Sequence, residues 1–303
     1  MKNYSIFILL ICVTLFSTSC YKNKDQETRK EILKITSTTF DFIGEEHNKG
    51  LDFVYSQTFA NNINSNYNDV LTAANKYVFE ESSMSKFSKD NRLELFTPEK
   101  RELIKAAVES KSIIINRFEL QKKLTQNQFS IIEKLDMALS LPNYEEQLQK
   151  IKVLKNEALV SLKDNEIVYI LCTLSLAEHS VNYWNSEKGI IWKNRIDQLI
   201  KSDNAYLIKI NKVNEFQTTP LNKIDYHNVA VADVSSFMAG FPAGINIGAL
   251  VGGLTAGIAS AGITAGLGAV LGGLAGGTVS GLGTAITASS IALAAEIAVN
   301  FFS

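Results

Sequence analysis

The 62 consecutive uncharged residues from Val234 to Ala295 limit what this chain can fold into more than any other feature. Asp233 and Glu296 bound the run. At 1.5 Å per residue it is long enough for about 93 Å of helix, or two crossings of a roughly 30 Å hydrocarbon layer with residues left for a turn. Bulky apolar groups recur through it, among them Ile247, Leu250, Leu254, Ile258, Leu267 and Leu271, which disfavours leaving it in water. Ala, Ser, Thr and Gly dilute those groups, so insertion is weaker than for a leucine-rich span. Three fates are open: a membrane-embedded segment, a soluble set of closely packed helices, or a disordered low-complexity tail.

Fifteen of the 18 glycines lie from Gly240 onward. Gly240, Gly244, Gly248 and Gly252 repeat every four residues, as do Gly268, Gly272 and Gly276, and again Gly273, Gly277 and Gly281. Small residues at that spacing make a groove along one helix face where another helix approaches to backbone contact. Glycine costs a helix about 1 kcal/mol relative to alanine in water, so close packing has to offset so many. Over Gly240 to Gly252 and Gly268 to Gly281 the pattern resembles the glycine-zipper segments of bacterial envelope lipoproteins. The resemblance implies an outer-membrane-associated protein whose zipper packs in or against the bilayer, and self-association through the glycine faces. Breaks at Ala259 to Gly262 and Gly276 to Gly283 predict a Gly/Ala-rich helical hairpin, its last arm running from Thr284 to Phe302.

The other end of the chain reads as an address. Lys2 precedes an apolar run from Ile6 to Phe16, and Ser17, Thr18 and Ser19 lead to Cys20, the three-part layout of a secretory signal. The apolar run is about half as long as a membrane span requires. A cysteine after small residues resembles the lipobox of bacterial lipoproteins, which implies an acylated Cys20 as mature N-terminus and a bacterial protein exported to the envelope. Ser17 stands where leucine is usual, and Ser17 with Ser19 also fits ordinary signal cleavage. With residues 1–19 removed and Cys20 acylated, Cys172 is the remaining thiol, so no intrachain disulfide forms. Residues 20–30 are polar and aperiodic, a tether.

Residues 31–227 carry a different material, and 228–303 form the tail. Tyr21 to His227 holds 29 of the 30 Lys and Arg and 29 of the 31 Asp and Glu. Apolar residues recur at three and four, as in Val70, Leu71, Ala74, Tyr77 and Val78, which predicts helices and an all-α, multi-helix globular domain. Thr97-Pro98-Glu99 predicts a helix start at Pro98, with Ala107 and then Ile113 to Ile115 behind it. Thr125 to Gln128 has the form of a capping box, and Pro142 separates two helices. Asp164-Asn165 marks a further cap, and Gly189 a break. Ile167 to Ala177 is apolar on every face and predicts a central rod surrounded by other helices.

Chemistry is sparse. His47, His179 and His227 are isolated, and the neighbouring carboxylates in Glu46-His47 and Glu178-His179 point about 100° away on a helix. No metal-ligand spacing, phosphate loop or nucleophile elbow occurs, and Cys172 sits in apolar sequence that disfavours a thiolate. Tyr183, Trp184 and Trp192 line either a core or a pocket. The formal net charge of −1 gives no electrostatic case for nucleic acid. The expectation is a protein without catalysis, cofactor, metal or small-molecule substrate, anchored to membrane lipid by Cys20 and the tail. The alternative is a membrane-active, pore-forming effector whose tail is held by the helical domain until it inserts.

Overall fold

The computed structural model describes residues 35–60, 67–83, 85, 102, 106–107, 110–115, 117–195, 198, 226–240 and 283–288. Among them the fold is all-α, with no strand. Helices α1 (Asp41–Gln57), α2 (Tyr67–Lys76), α3 (Arg117–Lys123), α4 (Gln126–Leu139), α5 (Tyr144–Ser161) and α6 (Asp164–Trp184) follow in order. Helix α7 covers 187–195, α8 is Tyr226–Gly240, and a short helical segment covers 283–288.

Helix α6 is the rod around which the others pack. Every residue from Ile167 to Ala177 is buried, as sequence apolar on all faces requires. Helices α1, α4, α5 and α8 all pack against it. Its hydroxyls point to partners inside the protein, Thr173 bonding back to the Tyr169 carbonyl at 2.9 Å and Ser175 to Asp41 at 3.2 Å. Among the described residues no helix is long and apolar enough to cross a membrane.

Local sequence signals set several helix ends. Thr125 Oγ1 accepts from the Gln128 amide while the Gln128 side chain accepts from the Thr125 amide at 3.0 Å, so the capping box is present. The same Gln128 side chain donates to the Glu166 carbonyl at 2.9 Å and ties the start of α4 to the start of α6. Asn143 caps α5 through the amides of Glu145 and Glu146. Gln147 closes the turn around Pro142 by donating to the carbonyls of Leu139 and Leu141. Thr125→Ala is expected to lower stability by about 1 kcal/mol, read as the midpoint shift of urea unfolding.

Other ends differ from expectation. The break assigned to Gly189 falls at Asn185-Ser186, where Ser186 accepts from the Lys188 amide and caps α7. Gly189 lies inside that helix because a Cβ there would sit 2.2 Å from the Trp184 carbonyl oxygen, so the residue serves close approach and not termination. Asp164 is the first residue of α6 and not its cap; the Glu166 carboxylate accepts from the Lys163 amide at 3.1 Å instead. Ile113 to Ile115 lie outside any helix. Lys111 has a φ of 54°, and the Ser112 amide reaches back to the Ala107 carbonyl, which closes a helix end there without the usual glycine. Asp136 then holds the loop by accepting from the Ser112 hydroxyl and the Ile113 amide. The predicted start at Pro98 lies outside the described residues, as does the predicted hairpin apart from Val234 to Gly240 and 283–288.

Buried apolar side chains form two clusters. One gathers Phe40 and Ile43 with α4, α5 and most of α6; the other gathers Leu51, Val54, Phe59 and α2 with Tyr183, Trp184 and Trp192. Helix α8 contributes to both: Ala230, Val231, Val234, Phe237 and Met238 to the first, Val229 and Ala232 to the second. The segment 283–288 does the same through Ala285 on one side and Ile286 on the other. The uncharged run thus begins inside the core of the helical domain, and its second described piece lies there too.

Candidate functional site

Asp233 is the one acid in a helix whose residues are buried from Val229 to Met238. A carboxylate placed there costs several kcal/mol unless partners meet it. Ser180 Oγ donates to Asp233 Oδ2 at 2.5 Å and Trp184 Nε1 donates to the same oxygen at 2.9 Å. Both donors belong to α6. The other oxygen, Oδ1, faces Nε2 of His47 on α1 at 3.4 Å, and both side chains are fully buried. Neither of these two atoms has a hydrogen-bond partner, the 3.4 Å contact between them being a close approach of the two groups.

The neighbouring atoms define how many protons this junction holds. Asn48 donates its amide to the His179 carbonyl at 3.2 Å, which turns its own oxygen toward His47 Nδ1, 3.1 Å away. Nδ1 therefore carries hydrogen. Nε2 and Oδ1 would then meet lone pair to lone pair unless one proton lies between them. With that proton the junction joins α1, α6 and α8 through one side chain.

Serine, histidine and aspartate together suggest a nucleophilic triad, but the order here is wrong for one. Activation of a serine needs the imidazole between hydroxyl and carboxylate. Here Asp233 stands between Ser180 and His47, and the hydroxyl donates to the acid instead of to the base. Among the described residues no group of three His, Cys, Asp or Glu side chains is placed to hold a metal ion. Cys172 is fully buried, and burial pushes its thiol well above the ordinary range, which leaves a packing residue. Tyr183, Trp184 and Trp192 are core residues stacked edge to face, with ring centroids 5.1 Å and 6.0 Å apart along the series.

Two further polar groups tie the same helices together. Lys155 of α5 is 3% exposed and pairs with Asp41 of α1 at 2.7 Å and Glu178 of α6 at 2.5 Å. His179 lies half-buried beside them, its pKa lowered by burial first and by the nearby Lys155 charge second among the lowering causes. Glu46 accepts from Lys49, the Tyr77 hydroxyl and the Ser83 amide, joining α1 to the π-helical turn Tyr77–Glu81 and the chain just after it. Burial and the Glu46 charge push the Tyr77 hydroxyl above its usual range, so it stays a donor.

Glycines of the charged domain act as notches. A Cβ on Gly44 would fall 2.4 Å from the His179 ring, and one on Gly50 would fall 2.2 Å from Ile286 Cδ1. Helix α1 therefore meets α6 at the first and the segment 283–288 at the second. Of the zipper glycines, Gly240 ends α8 and is buried. Gly244, Gly248, Gly252, Gly268, Gly272, Gly273, Gly276, Gly277 and Gly281 lie outside the described residues, as does Cys20. Sequence reasoning treated His47 and Asp233 separately and missed their junction. The available signal was a lone acid among apolar residues, midway along what becomes α8. No protein-family model, curated protein or solved structure matches this chain.

Proposed function

We propose that this chain is a non-enzymatic bacterial envelope lipoprotein with a structural or interaction role, exported and anchored through acylated Cys20, with its glycine-zipper tail as a second attachment. The observation that supports a structural role is how the buried polar groups are used. Asp233, Glu46 and Lys155 each tie separate parts of the chain together, and the Ser180–Asp233–His47 junction has the wrong order for a nucleophilic triad.

A specific observation favours a second reading, the membrane-active effector. Both described pieces of the uncharged run, Val234 to Gly240 and 283–288, are buried in the helical domain, as a tail held in reserve would be. Three of their hydroxyls are bonded within their own helices. Ser235 and Ser236 reach back to the Ala232 carbonyl and Thr287 to Gly283, so these groups carry their hydrogen bonds into any apolar surroundings.

Membrane fractionation of tagged protein separates the two. The comparison is wild type, Cys20→Ala, and both forms with 241–282 replaced by a short Gly/Ser linker, which keeps the docked pieces. The lipoprotein reading expects wild type in the membrane, a Cys20→Ala form still partly retained, and release only when the tail is also removed. Release by Cys20→Ala alone excludes the tail as a resident anchor and favours the held effector. Wild type found in the soluble fraction overturns the lipoprotein reading.

A further inference from the structure

We propose that Asp233 is the latch of a detachable strap, formed by α8 and the segment 283–288, whose release delivers the uncharged run to a lipid bilayer. The proposal rests on the second reading above and adds the element that holds the tail back. Two kinds of polar side chain stand out in the strap. Ser235, Ser236 and Thr287 bond to carbonyls of their own helices and lose nothing when those helices move as units. Asp233 cannot keep its partners, because Ser180 and Trp184 lie on α6 and His47 lies on α1.

The apolar residues of the strap do not discriminate in the same way. Val234, Phe237 and Met238 exchange one apolar environment for another when they pass from a protein core into hydrocarbon. A carboxylate with three buried partners does discriminate, since truncating one side of such a group leaves the others unpaired. Its place in the chain fits release as well: Asp233 immediately precedes the uncharged run, so the charge stays at the water boundary when the run enters lipid. The contact at Gly50 is matched to an easily withdrawn group, the tip of the Ile286 side chain.

The shared proton supplies the control. In Asp233→Asn the amide N–H donates to His47 Nε2 and the amide oxygen accepts from Ser180 and Trp184, so the latch stays closed without an ionised group. Asp233→Ala leaves all three partners unmet. The test uses the full chain carrying Cys20→Ala, so that no acyl group reports in place of the tail. It reads hydrogen exchange helix by helix, and dye release from vesicles of phosphatidylethanolamine and phosphatidylglycerol.

Asp233→Ala is expected to raise exchange in α8 and 283–288 about tenfold beyond any change in α4 and α5, and to speed dye release by a similar factor. Asp233→Asn is expected to stay within about threefold of the parent in both. Equal acceleration across α4, α5 and α8, or an Asn variant as open as the Ala variant, overturns the latch. Selective opening of α8 with vesicles that stay tight leaves the latch standing and overturns the bilayer as its destination. Selective opening with dimers formed in the absence of vesicles assigns the strap to a second copy and also overturns the bilayer. If Asp233→Ala fails to fold, Ser180→Ala and Trp184→Phe each remove one donor and carry the same comparison, with an expected rise of about threefold in α8 alone.

Discussion

Trp184→Ala is expected to lower stability by about 4 to 5 kcal/mol, a large part of the roughly 5 to 15 kcal/mol that holds a domain together. The indole is fully buried, contacts Tyr183 and Trp192 edge to face, and donates to Asp233 at 2.9 Å. Truncation opens a cavity beside the second apolar cluster and removes one of the two donors to Asp233 Oδ2. Trp184→Phe separates the two costs, because it keeps most of the ring volume and loses only the N–H, for about 1.5 to 3 kcal/mol with a charged acceptor. Urea unfolding followed by far-ultraviolet circular dichroism reads both. An alanine variant within about 1 kcal/mol of wild type would mean that the site collapses freely and that the indole does not join the clusters.

Removing Lys155 is expected to cost about 3 kcal/mol, at the low end for a buried ion pair because its two partners retain some water. The ammonium is 3% exposed, whereas the Asp41 and Glu178 side chains are 26% and 15% exposed. Lys155→Ala leaves two carboxylates of α1 and α6 facing each other across α5. Combining Lys155→Met with Asp41→Asn and Glu178→Gln is expected to recover most of the loss, since no net charge is then left buried. His179 supplies a second readout. Lys155 is one of the groups that hold its pKa down, so in Lys155→Ala the imidazole is expected to take up its proton at higher pH than in wild type. A histidine titration by NMR that does not move upward would show that Lys155 is not felt at α6.

What could be read from sequence was local. Thr125 with Gln128, and Pro142 with Asn143, announce helix ends because cap and first turn lie within a few residues of one another. Ile167 to Ala177 announces the central helix because apolarity on every face leaves no side for water. The misplaced features depend on residues elsewhere. Gly189 looks like a breaker until the Trp184 carbonyl is placed against it, and Ile113 to Ile115 look helical until Asp136 is found holding the loop. Gly44 and Gly50 gave no sign of their role, because a notch is recognised only by what fills it.

The candidate site was the least legible part. Asp233 served as a boundary marker and His47 as an isolated imidazole, yet the two face each other across the space between α1 and α8. No periodicity or spacing rule joins residues so distant in the chain. The physical hint lies in cost: an acid midway along an apolar helix needs buried donors, and the sequence elsewhere offers few histidines and tryptophans to provide them.

The wide separation of these partners bears on how the chain acquires its shape. Asn48 finds the His179 carbonyl 131 residues downstream, Lys155 finds Asp41 across 114, and Ser180 waits a further 53 residues for Asp233. A polypeptide made from its N-terminus delivers α1 long before α6, and α6 before α8. Helix α1 therefore emerges with a buried-type histidine and two bare glycine notches lacking their counterparts, and the cooperative core closes only when α8 and the segment 283–288 arrive. During that interval the nascent protein presents apolar surface on both sides of an unfinished seam, so its folding depends on a shielding factor or on fast delivery of α8 and 283–288.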